Sequence, residues 1–199
     1  MVKNKLRWMA ALGGFGVLAL PLLASADTQN STVEVTVNPV IYSFTTSGTV
    51  TIGALTPDAT GKQSIKSDSV SASTNDSAGM TLTLKDADTT YTLVSGSDSI
   101  AKGAGTPAAS ATLANGEWGW RVDSLAGTDF GAGPTSEVNN GAPSALKFAG
   151  IPLNGSPFTL ADTSAEGTSA VTVWYSARVT QTQPSGTYSD TVTYTATTK

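Results

Sequence analysis

Val171-Thr172-Val173-Trp174-Tyr175-Ser176-Ala177-Arg178-Val179 is the stretch from which the fold is read. Val171, Val173, Tyr175, Ala177 and Val179 occupy every second position, with Thr172, Trp174, Ser176 and Arg178 between them. Successive side chains of an extended chain point to opposite faces, so this run predicts a strand with one apolar and one polar face. The same alternation recurs on both sides. Toward the C-terminus, Tyr188, Val192, Tyr194 and Ala196 share a face opposite a Ser/Thr ladder. Toward the N-terminus come Trp118, Trp120 and Val122, then Tyr91 and Leu93, then Met80, Leu82 and Leu84. Val50 and Ile52, then Val40, Tyr42 and Phe44, and finally Val33, Val35 and Val37 continue the series. Past residue 26 no segment carries a 3.6-residue apolar stripe. The composition agrees, since 31 Thr and 20 Gly in 199 residues suit strands and turns better than helices.

Eight to ten short strands, each with one apolar face, predict an all-β fold. The expected architecture is a single antiparallel β-sandwich, Ig-like or jelly-roll-like, over residues 27–199. Two irregular insertions are expected, near 95–116 and 124–157. The second carries Gly131, Gly133, Pro134, Gly141, Pro143, Gly150, Pro152, Gly155 and Pro157. A structureless loop of that length is unusual in a compact domain, which marks it as a surface insertion or a functional loop.

Residues 1–26 have a different character. Lys3, Lys5 and Arg7 precede an apolar stretch from Trp8 to Leu23, and Ala24-Ser25-Ala26 forms a small-x-small site. That order is the order of a secretory signal peptide, a signal helix cleaved after Ala26. The expected location is therefore extracellular and cell-surface associated, with membrane contact only through this segment if it is retained. Without it, 8 basic residues face 15 acidic ones, a net charge of −7. An acidic chain with no basic cluster does not neutralise phosphates, so no nucleic-acid partner is expected.

The chain contains no Cys and no His. Thiolate nucleophiles, histidine bases, Ser-His-Asp triads and Cys/His metal sites are thereby excluded. A carboxylate pair can hydrolyse glycosides without histidine, but there are only four Glu and nothing in the sequence gathers them in a cleft. The reading is therefore not an enzyme, with no catalytic residues, no cofactor and no metal. Asp86 with Asp88, and Asp123 with Asp129, are the acids best spaced for Ca²⁺, yet neither pair resembles an EF-hand loop.

Three blocks carry a resemblance. Ser71-Ala72-Ser73-Thr74-Asn75-Asp76-Ser77-Ala78-Gly79-Met80-Thr81-Leu82-Thr83-Leu84 reads as a hairpin, Trp118-Gly119-Trp120-Arg121-Val122-Asp123 as a strand, and residues 184–197 (PSGTYSDTVTYTAT) as a closing turn and strand. Together they resemble secreted β-sandwich surface proteins of small-genome, Saccharibacteria-like bacteria. The ending is also similar to the last strand of spore coat protein U-like and pilin-type domains and of WxL-like domains. The resemblance implies a cell-surface role and no particular reaction. In the closing block, Pro184 and Gly186 bracket a turn, and Asp190 accepts a loop amide or sits at the solvent-near end of the strand.

Candidate sites follow from the alternation. Trp174 falls on the polar face near Arg178. Either it stacks on a sugar ring or partner, with Arg178 beside it, or the insertion at 124–157 covers it. Trp118 and Trp120 share the apolar face and read as core. Val33, Val35 and Val37 form either an ordinary first strand or a self-association strand that pairs with a neighbouring copy. The function expected is a secreted, non-enzymatic structural or fibre-forming protein with itself as partner. The alternative is an adhesin module that binds surface glycans.

Overall fold

The computed structural model describes residues 31–123 and 125–199. The expected signal segment and its cleavage site lie outside the described residues. Residues 37–199 form one compact unit. Its strands are β1 (Ile41–Thr45), β2 (Lys62–Thr74), β3 (Met80–Asp86), β4 (Leu93–Ser95), β5 (Asp98–Lys102) and β6 (Ala111–Thr112), followed by β7 (Glu117–Val122), β8 (Val138–Gly141), β9 (Lys147–Phe148), β10 (Phe158–Asp162), β11 (Gly167–Val179) and β12 (Val192–Thr198). The fold is all-β, with no helix among the described residues.

The strands form three sheets. A seven-stranded sheet runs β1-β2-β11-β7-β5-β4, with β8 pairing beside β2; a second sheet runs β10-β3-β12; β6 and β9 make a short ribbon. Pairing is antiparallel throughout except between β5 and β7, which run parallel. The alternating stretch quoted above is the centre of the large sheet. Its strand β11 pairs with β2 in unbroken register from Gly167↔Thr74 to Val179↔Lys62, and with β7 on its other side.

The apolar faces supply the core. Val173, Tyr175, Ala177 and Val179 from β11 meet Trp118, Trp120 and Val122 from β7 and Val70 from β2. Leu82, Leu84 and Leu160 of the three-stranded sheet belong to the same cluster. Each such side chain stabilises the fold by about 1.5–3 kcal/mol when fully withdrawn from water. Trp118 and Trp120 are core residues, 2% and 0% exposed.

Four sequence expectations need correction. First, β2 is one of the two longest strands, yet it was not read as a strand. Its buried positions include Gln63, Ser64, Asp68, Ser73 and Thr74, so no apolar alternation marks it. Second, the block from Ser71 to Leu84 is not a hairpin, because β2 and β3 belong to different sheets. It is a corner. The Asp76 carboxylate accepts the Ala78 amide, and Gly79 at φ 91° abuts the Thr163 carbonyl, where a Cβ has no room. Third, Val33, Val35 and Val37 lie in no strand and are 93%, 87% and 75% exposed. Val40, Tyr42 and Phe44 are exposed as well, so β1 turns its apolar set outward. Fourth, Gly186 serves the closing turn through space and not through φ: it has no positive φ, and a Cβ there would meet the Ser95 side chain.

One buried side chain gathers several backbone carbonyls of the insertion beyond Val122. Arg121 is 0% exposed, and its Nη2 donates to the carbonyls of Phe130, Gly131 and Ala132 at 2.9–3.0 Å. Its Nη1 reaches the Lys147 carbonyl, and its Nε reaches Asp123 at 3.3 Å. Burial pushes the guanidinium pKa down and Asp123 draws it back. Charge-assisted bonds to several carbonyls at once are what a planar fork provides and an ammonium does not.

Candidate functional site

Core residues line a cavity of about 930 Å³. One wall is the inner face of the large sheet, with Ile100, Trp118, Tyr175, Ala177 and Val179. A second is β12 and the residues before it, from Asp190 to Tyr194. A third is the segment between β1 and β2, where Val50, Ile52 and Leu55 face the core. The space opens to solvent at its rim, and the core side chains at its floor, Ile100, Trp118, Tyr175, Ala177 and Val179, stay buried.

Two of these walls present unpaired backbone. β12 ends the three-stranded sheet, so among the described residues only its β3 side is paired. The alternation of Val50 and Ile52 predicted a strand, but residues 46–61 form none. Among the described residues the amides at 50–55 find no protein acceptor. The flanking hydrogen bonds are Ser47 N to the Asp68 carboxylate at 2.8 Å and Thr56 N to the Asn140 side chain at 2.9 Å. An extended segment with its apolar side on the core and its amides unpaired has the hydrogen-bonding capacity of a sheet edge.

The polar part of the groove is made by two tyrosines. Tyr175 Oη and Tyr194 Oη lie 2.7 Å apart, joining β11 to β12 across the two sheets. Burial raises the pKa of both hydroxyls well above the ordinary tyrosine range. They stay neutral, and the pair acts as a hydrogen-bonded clip. The closing turn sits at the same groove, held by Tyr188 Oη donating to the Pro184 carbonyl at 2.7 Å. Of these groove residues the sequence singles out only Pro184, Gly186 and Asp190 as more than strand or core. A cavity between sheets leaves no local signature.

The candidates named from sequence fall elsewhere. Trp174 is 9% exposed and packs with Ile65, Leu113 and Phe148, while Val138 and Leu146 close around it. Phe148, Val138 and Leu146 come from the insertion, so the covering alternative is the one the structure shows. A sugar could stack on Trp174 only after that cover had moved. Arg178 is held beside it, its Nη1 donating to the Leu113 carbonyl at 2.9 Å while its Nε is buried without a partner among the described residues. Val33, Val35 and Val37 remain exposed and unpaired.

The acids divide into two groups. Asp123 sits on Arg121, and Asp129 holds Ser110 and Lys147, so these two serve separate structural contacts. Asp86 and Asp88 are brought together with Asp190, one carboxylate oxygen of each lying within 4.8 Å of the others.

Comparison of the chain with protein-family models, with curated proteins and with solved structures gives no match to any of them.

Proposed function

We propose that the protein is an exported, non-enzymatic cell-surface subunit that assembles by strand exchange, residues 32–37 of one copy entering the groove of the next. The carrying observation is the cavity lined by core residues beside the free edge of β12. The occupant is suggested by chemistry and length. Val33, Val35 and Val37 are apolar at period two, as a strand buried on one face requires. Six residues span about 20 Å, close to the length of the seven-residue β12. A guest strand would gain ladder hydrogen bonds along that edge and side-chain burial within the groove. On this reading the two larger sheets are the halves of one β-sandwich, and a neighbouring chain adds a strand at the free edge of β12. A surface role of this kind fits the resemblance to secreted surface and pilin-type domains. The glycan-binding alternative has less support, because Trp174 is covered.

Deleting residues 27–37 from the exported chain tests the proposal. The intact chain should form oligomers in size-exclusion chromatography. The truncated chain should run as a monomer, melt below the assembled chain, and regain the lost melting temperature on binding a synthetic peptide of residues 27–40. An intact chain that stays monomeric at high concentration would overturn the assignment, as would a truncated chain that does not bind the peptide.

A further inference from the structure

We propose that Asp86, Asp88 and Asp190 form a binding site for one divalent cation of the calcium type, fastening the start of β12 to the end of β3. The three carboxylates come from two chain segments that the fold brings together. Asp86 is the last residue of β3 and lies directly across from Val192 in the β3–β12 ladder. Asp190 lies two residues before Val192, just ahead of β12. Asp88 follows Asp86 in the turn.

Each carboxylate is held by one oxygen. Asp86 Oδ1 accepts the Asp88 amide at 2.9 Å, Asp88 Oδ1 accepts the Thr90 amide at 2.6 Å, and Asp190 Oδ1 accepts the Thr191 amide at 2.7 Å. The turn behind them is fixed too, with the Asn154 side-chain amide donating to the carbonyls of Asp86 and Ala87.

The observation that points to a ligand is separate from this geometry. Asp86 is 0% exposed, and its Oδ2 is buried without any hydrogen-bond partner. Asp190 Oδ2 is likewise buried and unpartnered. A buried carboxylate oxygen without a donor costs several kcal/mol unless a charge or a proton meets it. Among the described residues, none of the ion pairs supplies a Lys or Arg to these three acids.

Two species can satisfy such a cluster, a shared proton or a cation. A proton shared by Asp86 and Asp190 reaches two of the three carboxylates, whereas one cation placed among oxygens within 4.8 Å of one another meets all three. Oxygen-only ligands suit a hard cation, and an irregular turn suits calcium, which accepts six to eight oxygens in flexible geometry. Magnesium demands a near-ideal octahedron.

The test uses the full-length exported chain, freed of divalent ions with a chelator and then dialysed. Calorimetric titration with CaCl₂ at pH 7.5 should show one site per chain. Saturating CaCl₂ should raise the melting temperature by several degrees beyond NaCl at matched ionic strength. Asp190→Asn and Asp88→Asn should each weaken binding at least tenfold, and both should still fold, because Asn keeps the shape and the hydrogen bond of the held oxygen. Asp190→Asn should also melt higher than the metal-free parent, since it removes one of the crowded charges. No calcium heat and no calcium-dependent melting shift in the parent would overturn the site and leave the shared proton as the answer. An undiminished response in both variants would overturn it as well, and an equal shift with MgCl₂ would overturn the calcium assignment.

Discussion

At the scale of single residues, Arg121 and Trp174 show how a polar alternation can conceal a second core. Both sit on strand faces that the sequence marks as polar, and both are buried because the segment beyond Val122 folds back over that face. Arg121 gathers the carbonyls of Phe130, Gly131, Ala132 and Lys147, so one guanidinium ties two parts of the insertion to β7. Arg121→Lys keeps the charge but cannot reach four carbonyls at once. It should destabilise the protein by about 3 kcal/mol or more, the scale for breaking a buried charge arrangement. Chemical denaturation monitored by tryptophan fluorescence reads this directly, because Trp174 lies beneath the insertion and Trp120 packs against its Phe130. A cost below about 0.5 kcal/mol, the usual range for surface substitutions, would mean that the guanidinium does not organise the insertion. The sequence could place Trp174 on the polar face of its strand. It could not identify the cover, because Val138, Leu146 and Phe148 are scattered through a Gly/Pro-rich stretch without period.

At the scale of elements, legibility followed the chemistry of what each strand buries. β3, β7 and β11 bury Val, Leu and Trp at every second position and were readable at once. β2 buries Ser, Thr, Gln and Asp between two neighbouring strands, where hydrogen bonds replace apolar contact; Gln63 Nε2, for example, donates to Ser176 Oγ at 2.9 Å. Residues 32–37 and 49–52 alternate as a strand should but pair with nothing. Alternation records a capacity to pair, and the partner is a tertiary fact. The groove was illegible for the same reason, since it lies where β11, β12 and the segment after β1 converge. The hydroxyl clip across it gives a test of that convergence. In a double-mutant cycle on Tyr175→Phe and Tyr194→Phe, the coupling should be about 1 kcal/mol, the net value of one hydrogen bond. Coupling near zero would mean that β11 and β12 do not meet through these hydroxyls.

At the scale of the whole molecule, two sets of acids pull stability in opposite directions with pH. Asp58, Asp129 and Glu137 are held at about 2, mainly by hydrogen bonds from Thr60, Ser110 and Lys66 respectively. A carboxyl with a depressed folded pKa contributes stability above its unfolded pKa and loses it as pH falls toward the folded value. These three therefore make stability rise between pH 2 and about 4.5. They are surface groups, so the rise should be shallow and should weaken with salt. Asp86 and Asp190 act the other way. Between the ordinary aspartate value of 3.8 and the raised value of about 6 for Asp190, the folded state holds a proton that the unfolded chain has released. Stability therefore falls as pH climbs through that window. The loss should be roughly 1–2 kcal/mol once solvent screening of the half-buried Asp190 is allowed for. In chelator, the melting temperature should thus peak near pH 4 to 5 and decline toward pH 7. Asp190→Asn should remove most of the decline and leave the acid arm unchanged. A melting temperature that climbs steadily to pH 7 in the metal-free parent would show that Asp86 and Asp190 ionise at no cost to the fold.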